Sequence, residues 1–286
     1  MRSSKNTIVN AMSIDVEDYF QVAAFAPYID RAQWGSLQCR VERNVDQILN
    51  ILDEHNVRAT FFTLGWIAER YPALVREIVA RGHELASHGY GHLRASDQTP
   101  DELRQDLLQA KTVLEDIGGV EILGYRAPSF SIGSRNLWAH DVIAETGHLY
   151  SSSVYPIAHD HYGMPSAPRF PWRTPSGLIE IPPTSIRIAG RNLPASGGGY
   201  FRLLPYQVSS WGIRHVNQSE NQACIFYFHP WEIDPEQPRI ERADAKAKFR
   251  HYLNLSRTAP RLRRLLDGFS WDRVDRVFRE TLEHRS

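Results

Sequence analysis

Through its first two-thirds the chain alternates short apolar runs with amphipathic stretches, and the apolar runs stop at polar or ionisable residues. Thr7 to Ile14 reads as a strand ending in acid. Val41, Val45, Ile48, Leu49 and Leu52 fall at helical spacing, so Val41 to His55 reads as a helix. Ala59 to Leu64 is a β-rich run closed by Gly65, and Pro72 to Arg81 is a helix with proline in its first turn and Gly82 beyond its end. A short strand, His83 to Ser87, follows. Thr99 caps a helix that opens with Pro100-Asp101-Glu102, runs to about Ile117 and stops at Gly118-Gly119. Ile122 to Tyr125 is another strand and Ser134 to Thr146 another helix. Strands alternating with helices predict an α/β fold on a mostly parallel sheet.

Such sheets gather functional groups at the carboxyl ends of their strands. Here those ends are Asp15-Val16-Glu17-Asp18, Ser87-His88, Arg126-Ala127-Pro128 and, after the buried strand Cys224 to Phe228, His229-Pro230-Trp231-Glu232. Between Tyr155 and Tyr206 nine prolines and Gly197-Gly198-Gly199 break the alternation, which predicts loops around a mouth with short strands such as Leu178 to Ile181. After Pro238 the chain turns basic and reads as helices over Ala243 to Leu255, Pro260 to Leu266 and Trp271 to Leu282. No linker marks a second domain. The expected division is 1–238 as the main α/β body and 239–286 as a helical extension packed on it.

Charge excludes some partners. With 33 Lys+Arg against 33 Asp+Glu in 286 residues the formal net charge is +0, so nothing favours nucleic acid. No apolar run is long enough to span a membrane, and the basic start has no apolar region before the acids at 15–18, so a cytoplasmic location without an integral membrane segment is expected. Cys39 and Cys224 define no disulfide framework and read as small buried hydrophobes.

Four groups could carry chemistry. In Ser87-His88-Gly89-Tyr90-Gly91-His92 two histidines stand four residues apart, a spacing that binds one metal if the segment turns like a helix. Asp15, Glu17 and Asp18 crowd three carboxylates at a strand end, where they need a cation, a proton or solvent. One could join the imidazoles as a third ligand, and another could stay free as a base. His229 leaves a buried strand as a general acid, a ligand or a core histidine, and Arg126 can pair with a carboxylate and orient it. Each group alone also has an ordinary structural reading.

Taken in order, Asp15-Val16-Glu17-Asp18, Thr60-Phe61-Phe62, Gly82-His83-Glu84, the His88–His92 motif, Arg126-Ala127-Pro128 and His229 resemble the motifs of the polysaccharide deacetylases, the NodB-homology family. Asp15-Val16-Glu17-Asp18-Tyr19-Phe20, Gly198-Gly199-Tyr200-Phe201-Arg202 and His229-Pro230-Trp231-Glu232-Ile233-Asp234 are similar to a narrower branch encoded with exopolysaccharide and exosortase (PEP-CTERM) systems, whose members carry an extra C-terminal region.

The resemblance implies a distorted (β/α) barrel that removes acetyl groups from an N-acetylated glycan with a divalent metal, zinc first among them. By position His88 and His92 match the metal histidines, Asp15 the catalytic base, Arg126 the residue that orients it and His229 the general acid. Val16 occupies the usual place of the third ligand, which passes to Glu17, with Asp18 as the fallback. The usual acidic fourth motif has no match near Ile179-Glu180-Ile181-Pro182. An oxyanion would lean on a backbone N–H near Ser129. Tyr155, Trp172, Tyr200 and Phe201 either stack on sugars or pack the loops. The other readings are an amidohydrolase of a small cyclic amide or ureide and an inactive carbohydrate-binding barrel. Oligomeric state is not legible.

Overall fold

The computed structural model describes residues 8–160, 162–195 and 197–284. Thr7 and the basic start therefore lie outside the described residues. Eleven strands occur among them: β1 Val9–Val16, β2 Thr60–Thr63, β3 Glu84–Ser87, β4 Gly124–Tyr125, β5 Tyr150–Ser151, β6 Trp172–Arg173, β7 Ile179–Glu180, β8 Ser185–Ile188, β9 Arg191–Pro194, β10 Ile225–Phe228 and β11 Ser270–Asp272. The α-helices are α1 Val41–Glu54, α2 Gly65–Arg70, α3 Pro72–Ala80, α4 Pro100–Gly118, α5 Ala139–Glu145, α6 Gly198–Leu203, α7 Tyr206–Ser219, α8 Ala245–Tyr252, α9 Leu255–Gly268, α10 Val274–Val277 and α11 Arg279–Glu283.

One curled sheet in the order β10-β1-β2-β3-β4-β5-β7-β6 forms the body, parallel except for the final β7–β6 pair. β8 and β9 form a separate hairpin. The expected (β/α) barrel architecture is therefore present as a curled sheet with helices around it. Parallel strands need covering on both faces, and every residue of β2, β3 and β10 is buried. Ile14, Val16, Phe61, Phe226 and Phe228 pack with Val45, Ile48, Leu49 and Leu52 of α1.

Register decides where the site forms. Ile14 of β1 pairs with Phe228 of β10, Val16 with Thr63 of β2, Thr63 with Ser87 of β3, and Ser87 with Tyr125 of β4. Five strands thus end level with one another, and the residues leaving them, Glu17, His88, Arg126 and His229, emerge on one rim beside Asp15.

Three expectations change. The helix expected over Ser134 to Thr146 begins only at Ala139, because Gly133 and Asn136 hydrogen-bond in a turn ahead of it. Trp271 opens no helix: it sits in β11, which pairs parallel with β1 through Asn10↔Trp271. The segment after residue 238 therefore adds a strand to the main sheet as well as helices. The helix expected to begin at Pro260 begins instead at Leu255, so α9 carries Pro260 within it.

Candidate active site

Asp15 and Arg126 form the most enclosed ion pair of the rim. Arg126 is wholly buried. Its Nη1 donates to Asp15 Oδ1 at 2.5 Å and to Ser13 Oγ at 2.9 Å. Its Nη2 donates to Ser152 Oγ at 2.9 Å and its Nε to the Ser152 carbonyl at 3.2 Å. The guanidinium lies 4.0 Å from the Phe62 ring centre. With this many donors placed, the planar fork fixes the orientation of the Asp15 carboxylate.

Glu17, His88 and His92 bring one carboxylate oxygen and two ring nitrogens within 4.8 Å of one another, all from buried residues. His88 Nδ1 donates to the Arg126 carbonyl at 2.8 Å, which puts its proton there and leaves Nε2 as a lone-pair donor. Burial pushes the His88 imidazole down to about 4. Burial also works to raise Glu17, but the charges of His92 and His229 outweigh it and hold the carboxyl well below the usual range. Glu17 Oε1 accepts the Trp231 indole N–H at 3.1 Å. Glu17 Oε2 is buried with no hydrogen-bond partner, 2.7 Å from His92 Nε2. A buried charged oxygen left without a hydrogen bond is costly. The imidazoles of His88 and His92 face it and complete a donor set that fits a divalent cation with coordination positions to spare.

The histidines do not meet across a helical turn, as their spacing suggests. Gly89 at φ 76° and His92 at φ 54° bend a loop that folds both rings inward. Asp18 is not part of the cluster. Its carboxylate accepts the backbone N–H groups of Tyr19 at 2.8 Å, Arg40 at 2.6 Å and Val41 at 2.9 Å, and so caps α1 from outside the helix. Burial raises Asp18 to about 6.

His229 faces both carboxylates: its Nε2 is 3.8 Å from Asp15 Oδ2 and 3.6 Å from Glu17 Oε1. Its Nδ1 is anchored to Glu232 Oε1 at 2.7 Å. Burial would depress this imidazole, but Glu17, Glu232 and Asp15 lift it to about 9. Arg202 Nε donates to Glu232 Oε2 at 2.6 Å, and its Nη atoms donate to the carbonyls of Arg250, His251 and Leu253. Glu232 and Arg202 were not singled out in the sequence as functional. The three-residue step from His229 to Glu232 is a local signal for Glu232 alone; no spacing in the sequence marks Arg202. Glu180, near the missing fourth motif, instead accepts the Ser153 and Val154 N–H groups and faces His140.

The cleft over these groups measures about 1260 Å³. Its aromatic lining is Phe20, Tyr28, Trp34, Phe130, Tyr162, Tyr227 and Trp231. Tyr155 and Phe201, considered above as sugar platforms, are buried; Tyr155 packs on Phe130 and Tyr227, and Phe201 on Phe226. Ser129, at φ 57°, lines the cleft.

A carboxylate held by an arginine, a two-histidine carboxylate cluster and an anchored histidine on one barrel rim narrow the comparison with known proteins. Residues 34–149 match the polysaccharide deacetylase family. Residues 152–279 match a second model, described as a domain of unknown function (DUF3473). The join falls between β4 and β7 of one sheet. The deacetylase segment contributes His88, His92 and Arg126, and the segment of unknown function contributes Arg202, His229 and Glu232. The peptidoglycan-N-acetylglucosamine deacetylase of Bacillus cereus is 35% identical over 94 residues, 32% of this chain and 34% of its own. The chitooligosaccharide deacetylase of a Bradyrhizobium strain is 29% identical over 108 residues, 38% of this chain and 47% of its own. The match thus spans a third to a half of these curated relatives. In fold, the chain resembles a Mycobacterium smegmatis crystal structure described as a candidate polysaccharide deacetylase (TM-score 0.60, 21% identity, 98% of this chain and 91% of that one). It equally resembles Puue allantoinase (TM-score 0.64, 15% identity, 99% and 92%).

Proposed function

We propose that this chain is a metal-dependent deacetylase of an N-acetylated glycan. The observation that carries the reading is the convergence of Asp15 and His229 on the Glu17–His88–His92 cluster within one cleft, with His229 Nε2 3.8 Å from Asp15 Oδ2. Glu17, His88 and His92 would hold a divalent cation, with zinc the first to test, which when bound would supply polarisation of the scissile carbonyl and acidification of water.

The side chains divide the proton work. Asp15, fixed by Arg126, accepts the proton of the attacking water. His229, tethered through Nδ1, presents Nε2 to the leaving nitrogen and protonates it, so that an amine departs instead of an amide anion. The Ser129 backbone N–H meets the developing oxyanion. The products are acetate and a glucosamine-type amine. A glycan modified during exopolysaccharide assembly is the role that the motif phrases at 15–20, 198–202 and 229–234 favour.

The test is acetate release from a panel of N-acetylglucosamine oligomers and peptidoglycan fragments, with the metal removed and restored. Metal-dependent acetate release is expected. Ring opening of allantoin-type ureides in its place would move the assignment to a cyclic amidohydrolase. A chain that holds metal and sugar without releasing acetate would be a binding barrel.

A further inference from the structure

His92 adopts left-handed backbone, φ 54°, which an L-residue with a bulky side chain keeps only when its surroundings impose it. The loop from Gly89 to His92 is held from several directions. The first N–H groups of α2, Gly65 and Trp66, have no partner within their helix and donate to the carbonyls of Gly89 and Tyr90 at 2.9 and 3.1 Å. Asp106, nearly buried on α4, accepts the N–H of Tyr90 on Oδ2 at 3.0 Å and that of Gly91 on Oδ1 at 3.2 Å. A Cβ at Gly89 would stand 2.5 Å from Asp106 Oδ2, so the carboxylate occupies the space that a side chain there would take. At the end of the segment Arg31 Nη2 donates to the carbonyl of His92 itself at 2.8 Å.

We propose that Asp106 and Arg31 are positioning residues that set the cation affinity of the Glu17–His88–His92 cluster by holding His92 in its left-handed conformation. The inference rests on the reading of that cluster as a metal site. The two side chains act on opposite ends of the same short segment: the anion gathers the N–H groups before His92, and the cation holds the carbonyl after it. Arg31 lies in the 3₁₀ segment Arg31–Ser36, on the cleft wall contributed by the β1–α1 connection. Neither residue offers an atom to the cation. Removing either lets the backbone relax and swings the His92 ring away from Glu17.

The experiment is a chelator-competition titration of Zn2+ and Co2+ on the full chain, with thermal melting of the metal-free protein alongside. Arg31→Met and Asp106→Asn are each expected to weaken both metals by about 10–100-fold. The asparagine keeps the volume of Asp106 but turns an amide N–H toward one of the loop donors. Arg31→Lys is expected to recover part of the loss, and Glu145→Gln, exposed on α5, to leave affinity unchanged. Should Asp106→Asn fail to fold, the partly exposed Arg31 decides the matter with its lysine rescue. Wild-type affinity in a folded Arg31→Met would overturn the inference. A wild-type chain with no metal affinity would overturn the metal site itself, and the two failures are distinct.

Discussion

The indole N–H of Trp231 holds Glu17 Oε1 at 3.1 Å, so Oε2, 2.7 Å from His92 Nε2, is the oxygen turned toward the two histidines. The same ring stacks 5.3 Å from His229 at 19°. One residue therefore orients a cluster carboxylate and buttresses the proposed acid. Trp231→Phe keeps the stacking face and loses the donor. Cation affinity should fall about tenfold with little loss of thermal stability, measured by competition titration and melting.

The tether between Glu232 and His229 makes a kinetic prediction. Glu232→Gln leaves the side chain's shape but removes its charge from both His229 and Arg202. The turnover number for acetate release should drop about 10²-fold, with KM within about twofold, as expected for an acid that is misplaced in the transition state rather than lost from substrate binding.

Asp15 and Asp18 stand three residues apart and should respond in opposite ways. Asp15→Asn should reduce acetate release by about 10²–10⁴-fold and leave cation binding in place. Asp18→Ala removes the acceptor of three backbone N–H groups, two of them at the start of α1, and should cost about 1–3 kcal/mol of stability with cation binding retained. Denaturant melts and titrations of the two variants check both.

Three buried histidines predict how stability responds to acid. Burial pushes His83 and His148 down to about 4 and His251 to about 3. A group whose folded value is depressed contributes stability that is complete above its unfolded value, near 6.5, and is lost as pH falls toward the folded value. Between pH 7.5 and 5.5 each histidine should therefore cost the metal-free protein roughly 1 kcal/mol. His83 Nδ1 accepts the Ala59 N–H, a bond that protonation would break. His83→Gln should flatten the pH dependence of urea melts by about one proton. A slope equal to that of the wild type would contradict this.

What the sequence makes legible follows from local signals. The strands that end at Val16, Ser87, Tyr125 and Phe228 are short, mostly apolar runs, and their parallel pairing brings their ends level, so the rim could be assembled from one dimension. Glu17 and Asp18 lie past the end of β1, where the Glu17 N–H turns back to the Asp15 carbonyl at 3.0 Å, so no period-two pattern separates Asp18 from the ligand set. The Trp271 segment misled because Trp271, Val274 and Phe278 fit helical spacing, while a short strand added to β1 carries almost no pattern of its own. Arg202 was illegible as a partner of the site: it lies 30 residues before Glu232, and its other bonds go to backbone carbonyls, which leave no trace in side-chain identity.

The central claim is that Glu17, His88 and His92 hold one cation beside Asp15. Anomalous scattering from crystals grown with Zn2+ or Co2+, recorded on both sides of the metal absorption edge, tests it most directly. A single strong peak bonded to Glu17 Oε2, His88 Nε2 and His92 is expected, and its loss in His88→Ala. No peak there, or a peak that excludes Glu17 or either histidine, would contradict it.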